Sequence, residues 1–264
     1  MKQLGIVGFG FMGEALVRGI RRMDGSPEVG VIEKDQRRRR LALESYGCRD
    51  YGEDFTALFS ESELVILAIK PQQAAELLPK LRPDAGTTPV LSLLAGTSTD
   101  RIKTLLGERP VVRSMPNLAA QTGNAVVGVS FSAEVERDLR RDALALAGAA
   151  GIAVELPESQ MSAITGLSGS GIAFVFQFLH ALALGGTRSG IPYAKSLEAA
   201  LGVIEGAAAV IRESGTHPQE MLSRVCSPAG TTVEGVTALE EGAFTATVID
   251  AVTRAARRAE ELQG

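Results

Sequence analysis

Over the first 155 residues, short unbroken apolar runs alternate with amphipathic segments. Leu4-Gly5-Ile6-Val7, Val29-Gly30-Val31-Ile32, Leu64 to Ile69, Val90 to Leu94 and Val111 to Met115 lack the every-other-residue polarity of a half-exposed strand. Such runs predict strands buried on both faces. Helix-forming stretches separate them: Glu14 to Arg18, Gln36 to Tyr46, Gln72 to Leu81, and a short helix capped by Ser98 or Thr99. Ala125 to Phe131 and Ile152 to Val154 read as two further strands flanking a helix from about Ala133 to Ala147. Strand and helix in alternation predict an α/β fold, a parallel doubly wound sheet of the Rossmann type covered by helices on both faces.

Beyond residue 155 the strand pattern stops. Ala-, Leu- and Gly-rich segments predict helices at about Glu158 to Thr165, Ile172 to Arg188, Pro192 to Glu213, Pro218 to Val225, and Thr231 to Leu262 with a break near Gly242. The Ile172 to Arg188 segment is apolar on nearly every side and must be covered by neighbours or by a second subunit. Small residues from Ala199 to Ala209 permit close helix approach. The expected organisation is a dinucleotide-binding domain over residues 1–155 and an all-helical substrate and dimerisation domain over 156–264.

The first strand runs into Gly8-Phe9-Gly10-Phe11-Met12-Gly13. In a Gly-x-Gly-x-x-Gly turn the first glycine makes the bend, the second lets a pyrophosphate approach the backbone, and the third permits close helix–strand packing. The second strand ends in Glu33, 20 residues past Gly13, where a carboxylate meets the cofactor ribose. In a doubly wound sheet, ligands lie at the carboxyl ends of the strands. Glu33-Lys34, Ala68 to Lys70-Pro71 and Ala95-Gly96 belong at that edge. Lys70 reads equally well as a solvated strand-end lysine. Asn117, closing a later strand, reads as a cofactor contact or as an Asx turn before Leu118.

A second site candidate lies near the C-terminus. Cys226-Ser227-Pro228-Ala229-Gly230-Thr231-Thr232 places hydroxyls and small residues ahead of a helix-forming tail. Unpaired N–H groups at a helix start bind carboxylates, and adjacent hydroxyls can hold a further polar group. The plainer reading is a Ser/Thr helix cap. Thr165-Gly166-Leu167-Ser168-Gly169-Ser170-Gly171 repeats the pattern, as a cradle or as a connector in which Ser170 caps the next helix.

Composition narrows the function classes. With 45% hydrophobic and 22% charged residues the chain has ordinary globular usage, and its net charge of −4 points away from nucleic acid. Arg37-Arg38-Arg39-Arg40 is the one basic cluster. Four consecutive helical residues point in different directions, so at most one is expected to reach a cofactor phosphate. Cys48 and Cys226 form no metal or disulfide spacing and fit a reducing, cytoplasmic setting. Two histidines make a multi-histidine metal site unexpected. Met1-Lys2-Gln3 leads straight into a strand, so no signal peptide is expected. The apolar stretch Ile172 to Leu184 carries Gln177 and His180 and is short for a bilayer, so no membrane partner is expected.

Together these residues resemble the pyrroline-5-carboxylate reductase family. The matching motifs are Gly8-x-Gly10-x-Met12, Ala68-x-Lys70-Pro71, Ala95-Gly96, Arg113-x-Met115-Pro116-Asn117, Thr165 to Gly171, His217-Pro218, Cys226 to Thr232 and Leu239-Glu240, in order over nearly the whole chain. Ile172, Leu118-Ala119, Ala229, Thr245 and Asp54-Phe55 depart from the family pattern. The resemblance implies an NAD(P)H-dependent reductase that makes L-proline, with a Rossmann domain, an interwoven helical dimerisation domain and higher assembly, commonly five dimers. A paralogous reductase of a related cyclic imine acid is the alternative. A β-hydroxyacid dehydrogenase is disfavoured, because no lysine lies between Gly171 and Arg188. A non-catalytic dinucleotide sensor would need no second hydroxyl-lined loop.

With the resemblance, substrate carboxylate contacts fall to the loop Ser227 to Thr232, with Gly230, Thr231 and also Ser168. The ring nitrogen falls to the Thr232 hydroxyl, directly or through water, making Thr232 the catalytic candidate. For the cofactor, Glu33 favours NADH, while Lys34 or Arg37 could pair with a 2′-phosphate. The family commonly has a neutral residue followed by arginine at these positions. Use of both NADPH and NADH is therefore expected.

Overall fold

A computed structural model describes residues 1–262. Eight strands form one sheet: β1 (Gln3–Val7), β2 (Glu28–Ile32), β3 (Arg49–Asp50), β4 (Leu64–Leu67), β5 (Val90–Ser92), β6 (Val111–Met115), β7 (Ala125–Phe131) and β8 (Gly151–Glu155). Their order is β3-β2-β1-β4-β5-β6-β7-β8. The helices are α1 (Phe11–Ile20), α2 (Gln36–Tyr46), α3 (Phe55–Glu61), α4 (Pro71–Leu81), α5 (Thr99–Leu106), α6 (Arg137–Gly148), α7 (Met161–Ile164), α8 (Gly171–Arg188), α9 (Tyr193–Ser214), α10 (Pro218–Val225), α11 (Thr231–Glu241) and α12 (Phe244–Glu261). This is a Rossmann-like, mostly parallel α/β sheet followed by a helical C-terminal region, as the sequence pattern predicts.

The apolar strands feed two cores. Leu4, Ile6, Leu64 and Ile66 point to one face, where Val17 and Ile20 of α1 and Leu146 of α6 close over them. Val7, Val65 and Leu67 point to the other, against Leu58 of α3, Leu78 of α4 and Ile102 of α5. Burial on both faces is what removes polar alternation from these runs.

One expectation changes direction. β7 runs antiparallel to β6, with Val112 opposite Phe131 and Met115 opposite Gly128. The segment from Pro116 to Asn124 holds a single 3₁₀ turn over Leu118–Thr122, too short for the crossover that a parallel pairing needs. The other pairings, including β7 with β8, are parallel.

The chain divides into two compact units, residues 1–170 with 253–264, and residues 171–252. In the first, Glu158 accepts from the Thr99 N–H at 2.8 Å and from the buried Arg113 guanidinium at 2.9 Å, and the Thr99 hydroxyl also donates to it. These bonds dock the segment after β8 onto the sheet. In the second, α8 and α9 pack closely: a Cβ on Gly186 would collide with Ser196, whose hydroxyl donates to the Ala183 carbonyl at 2.7 Å.

The segment ahead of α8 is helical rather than a connector. Thr165–Ser170 forms a π-helical turn between α7 and α8, so Ser170 caps no helix start and the expected cradle of free N–H groups is absent. Thr165 and Ser168 donate their hydroxyls back to the Met161 and Ile164 carbonyls. The result is one helix over Glu158–Arg188, 31 residues with mean hydropathy 1.6, long and apolar enough by length and composition to cross a membrane. It exceeds the Ile172 to Leu184 stretch legible in sequence. Of α8, Ala183 alone is buried within the chain, leaving Val175, Phe176 and Leu184 about half exposed.

Candidate active site

The cofactor candidates gather at the carboxyl ends of β1, β2 and β4, where the strand order reverses between β1 and β4. A cleft of about 550 Å³ is lined there by Gly8, Gly10, Phe11, Met12, Glu33, Lys34, Ala68, Lys70, Pro71 and Ala95, together with Asp35, Arg38 and Gln73. Local chemistry explains the arrangement. Gly8 turns at φ +90°, and a Cβ there would lie 2.8 Å from the Ala68 carbonyl oxygen. Gly13 faces the sheet instead of the cleft: a Cβ on it would lie 2.8 Å from the Gly8 oxygen and 3.2 Å from Ile6. That is the helix–strand packing role of a third glycine. Gly10 begins α1 without a side-chain cap, so the first-turn N–H groups face the cleft with no intrahelical acceptor.

Glu33 is buried at the end of β2. One carboxylate oxygen accepts the Phe9 N–H at 2.5 Å and the other the Asp35 N–H at 2.8 Å. It therefore ties the glycine loop to the turn that opens α2. Each oxygen keeps a lone pair for a ribose hydroxyl.

The four arginines separate as helical geometry requires. Arg39 pairs with Asp50 and Arg40 with Glu44. Arg37 lies in a neighbouring depression. Arg38, not Arg37, lines the cleft. Its guanidinium lies 3.2 Å from where a Cβ on Gly10 would be. Periodicity could not tell which of the four this would be; the N-cap at Asp35, which accepts the Arg38 N–H at 3.0 Å, sets the helix phase. Gln73 also escaped the sequence reading. Its side-chain oxygen accepts the Lys70 N–H at 3.1 Å, holding the start of α4 at the cleft wall.

Besides Gly13, two cofactor candidates lie outside the cleft lining. Gly96, at φ +69°, faces the Leu262 carbonyl, which a Cβ would approach to 3.0 Å. Asn117 is buried, with its side-chain oxygen accepting the Ala119 N–H and its amide donating to the Ser168 carbonyl, both at 3.2 Å. The Asx turn is therefore the arrangement observed. Ser168 is buried in the first unit, and its hydroxyl donates to Ile164.

The remaining substrate candidates lie in the second unit. Ala229 adopts φ 54°, a left-handed turn stabilised by the Gly230 N–H donating to the Ser227 carbonyl at 3.0 Å. Gly230 is the N-cap of α11 and has no side chain to satisfy the first-turn N–H groups. A Cβ on Gly230 would collide with the Ser227 hydroxyl. Ser227, Thr231 and Thr232 are exposed, and among the described residues their hydroxyls take no partner. The loop thus presents free N–H groups and free hydroxyls together, a cradle suited to a carboxylate.

Comparison with known proteins decides the family. The model for pyrroline-5-carboxylate reductase dimerisation matches residues 158–262. Residues 3–96 match an NADP oxidoreductase model described as coenzyme F420-dependent. The pyrroline-5-carboxylate reductase of Aquifex aeolicus is 35% identical over 98% of this chain and 97% of its own length. That of Synechocystis is 38% identical over 98% of each. The chain belongs to the pyrroline-5-carboxylate reductase family. The crystal structure of the Streptococcus pyogenes 1-pyrroline-5-carboxylate reductase superposes with a TM-score of 0.87 at 30% identity, covering 98% of both chains. Within this family the apolar flank of α8 falls in the dimerisation region, and the cleft falls in the NADP-binding domain.

Proposed function

We propose that the protein reduces 1-pyrroline-5-carboxylate to L-proline, taking the hydride from NADPH or NADH. The observation that carries this is the full-length family match, coincident with a dinucleotide-shaped cleft. The close approach at Gly8 and Gly13, the uncapped α1 N-terminus and the unpaired Arg38 all fit a dinucleotide. Gly8, Gly10 and the first turn of α1 would hold its pyrophosphate; Glu33 and Lys34 would meet the ribose; Ala68, Lys70, Pro71 and Ala95 would line the nicotinamide side. The bound dinucleotide supplies the hydride.

The chain's own residues bind and orient. The N–H groups of Thr231 and Thr232 would take the substrate carboxylate, with the Ser227 and Thr231 hydroxyls beside them. The Thr232 hydroxyl would hold the ring nitrogen, directly or through water, where a proton must reside as the C=N bond becomes a C–N bond. Positioning of this kind supplies much of the rate in hydride transfer, so no acid–base dyad is required.

Both cofactors are proposed to be used. Glu33 keeps a carboxylate beside the ribose, and Lys34 and Arg38 offset it for a phosphorylated ribose. The dimerisation region supports a homodimer, and five dimers are proposed as the full assembly. Turnover of five- and six-membered cyclic imine acids, followed by nicotinamide absorbance with each cofactor, tests the reaction. Preference for the six-membered ring would move the assignment to a related imine reductase.

A further inference from the structure

We propose that Glu158 is a positioning residue for hydride transfer: through Thr99 it fixes residues 95–98, the loop beside which the nicotinamide end of the cofactor would lie. The inference rests on the reading of the cleft as a dinucleotide site.

The loop joins β5 to α5, and its Ala95 lines the cleft. Its upstream end is held on the sheet: the Leu93 N–H donates to the Leu67 carbonyl at 3.0 Å and the Leu94 N–H to the Ser92 hydroxyl at 3.2 Å. Among the described residues, the N–H groups of residues 95–98 donate to no acceptor. A loop without hydrogen bonds of its own keeps its shape through its two ends.

The downstream end is Thr99, the first residue of α5. One oxygen of Glu158 accepts the Thr99 N–H at 2.8 Å, and the other accepts the Thr99 hydroxyl. Ser98 already caps the helix by accepting the Arg101 N–H at 3.1 Å. Glu158 adds an anchor from 59 residues further along the chain.

That anchor is itself fixed. Arg113, buried on β6, donates to Glu158 at 2.9 Å and pairs with no other carboxylate among the described residues. On one side of Glu158 the Leu156 N–H donates to the Val129 carbonyl at 2.9 Å; on the other, Ile164 packs so near Gly128 that a Cβ there would come within 2.6 Å of it. A strut that served only to dock this segment would be complete with Arg113. The bonds to Thr99 are directed instead at the loop on the cofactor side. Misplacement of about 1 Å at a reacting centre costs about a hundredfold in rate, so the position of this loop bears on hydride transfer.

The test is calorimetry on the full chain with NADP⁺ and NAD⁺, each set against its counterpart lacking the nicotinamide ring, 2′-phospho-ADP-ribose and ADP-ribose, together with kcat for pyrroline-5-carboxylate. In Glu158→Gln, kcat is expected to fall about tenfold or more and dinucleotide affinity about fivefold, with the truncated nucleotides changed by less than about twofold. Thr99→Val removes the hydroxyl and leaves the Arg113 pair intact, so it should show the same pattern more weakly even if Glu158→Gln does not fold. Thr99→Ser keeps the hydroxyl and should restore the wild-type values. Equal weakening of the dinucleotides and their truncated forms would make Glu158 a general strut and overturn the proposal, as would wild-type kcat in a folded Glu158→Gln. A wild-type chain that binds none of the four nucleotides would overturn the dinucleotide reading, and this inference with it.

Discussion

The Glu33 carboxylate holds the glycine loop through the Phe9 N–H, at 2.5 Å. The Phe9 ring is itself fixed, buried and tilted against Tyr46 with centroids 5.7 Å apart. The residue proposed to meet the ribose is also a brace for the Gly8–Gly10 turn. Replacing it has two separable effects. Glu33→Ser is expected to weaken both cofactors, because the Phe9 and Asp35 N–H groups lose their acceptor. It should also shift the NADPH-to-NADH ratio of kcat/KM toward NADPH by about 1–2 kcal/mol, the scale of one charge-assisted contact. Parallel kinetics with both cofactors measure the two effects; an unchanged ratio would show that Glu33 does not face the ribose.

Thr232→Ala should reduce kcat by about tenfold or more while leaving cofactor affinity intact, since the hydroxyl lost is one proposed to bond more strongly in the transition state. Steady-state kinetics paired with NADP⁺ titration provide the check. Full turnover in a folded variant would take Thr232 out of the mechanism.

Gly8→Ala forces a side chain into φ +90° and against the Ala68 carbonyl oxygen. A loss of about 1–3 kcal/mol of stability is expected from the backbone strain, together with weakened binding of both nucleotides. Urea unfolding midpoints and calorimetry on the same sample would reveal it.

Glu158 titrates below the usual glutamate range. Burial pushes its carboxyl up, but hydrogen bonds from the Thr99 hydroxyl and N–H and from the Arg113 guanidinium outweigh it. A carboxyl whose folded value is depressed contributes stability that is complete above its unfolded value and lost as pH falls through the folded one. Wild type should therefore exceed Glu158→Gln by about 2 kcal/mol at neutral pH, and the gap should close as pH drops below about 4.5. Denaturation of both proteins across that window measures it; a gap independent of pH would mean the carboxylate charge carries none of the stability.

The half-exposed apolar residues of α8 and the exposed Val203 and Val210 of the helical unit call for a partner surface. Light scattering at about micromolar concentration should give a dimer or larger assembly. A stable monomer would contradict this.

Local signals were legible where a residue's role depends on its immediate neighbours. The Gly8 to Gly13 turn, the strands β1, β2, β4, β5 and β6, and the break at Gly242 between α11 and α12 follow from steric demands and hydrophobic periodicity that act within a few residues. β3 and α3 escaped notice. β3 is too short to carry a period, and α3 buries Leu58 and Phe59 in a segment of only seven residues. At the site, the strand-end residues Glu33, Ala68 and Lys70 could be placed because the fold class dictates which strand ends converge.

Other features depend on contacts distant in sequence, and only the tertiary structure decided them. The direction of β7 was set by the short path from Pro116 to Asn124 and not by its composition. The π turn at Thr165–Ser170 depends on backbone bonding that small residues permit but do not dictate. Which arginine enters the cleft was decided by the phase of α2 from its Asp35 cap, and what Glu33 binds was decided by how closely the first glycine turn lies against the end of β2. Sequence alone supplied most of the residues that line the candidate cleft and their approximate places. The direction in which each charged group points came from packing, because a few tenths of an ångström between non-neighbouring backbone atoms determine which donor a carboxylate reaches.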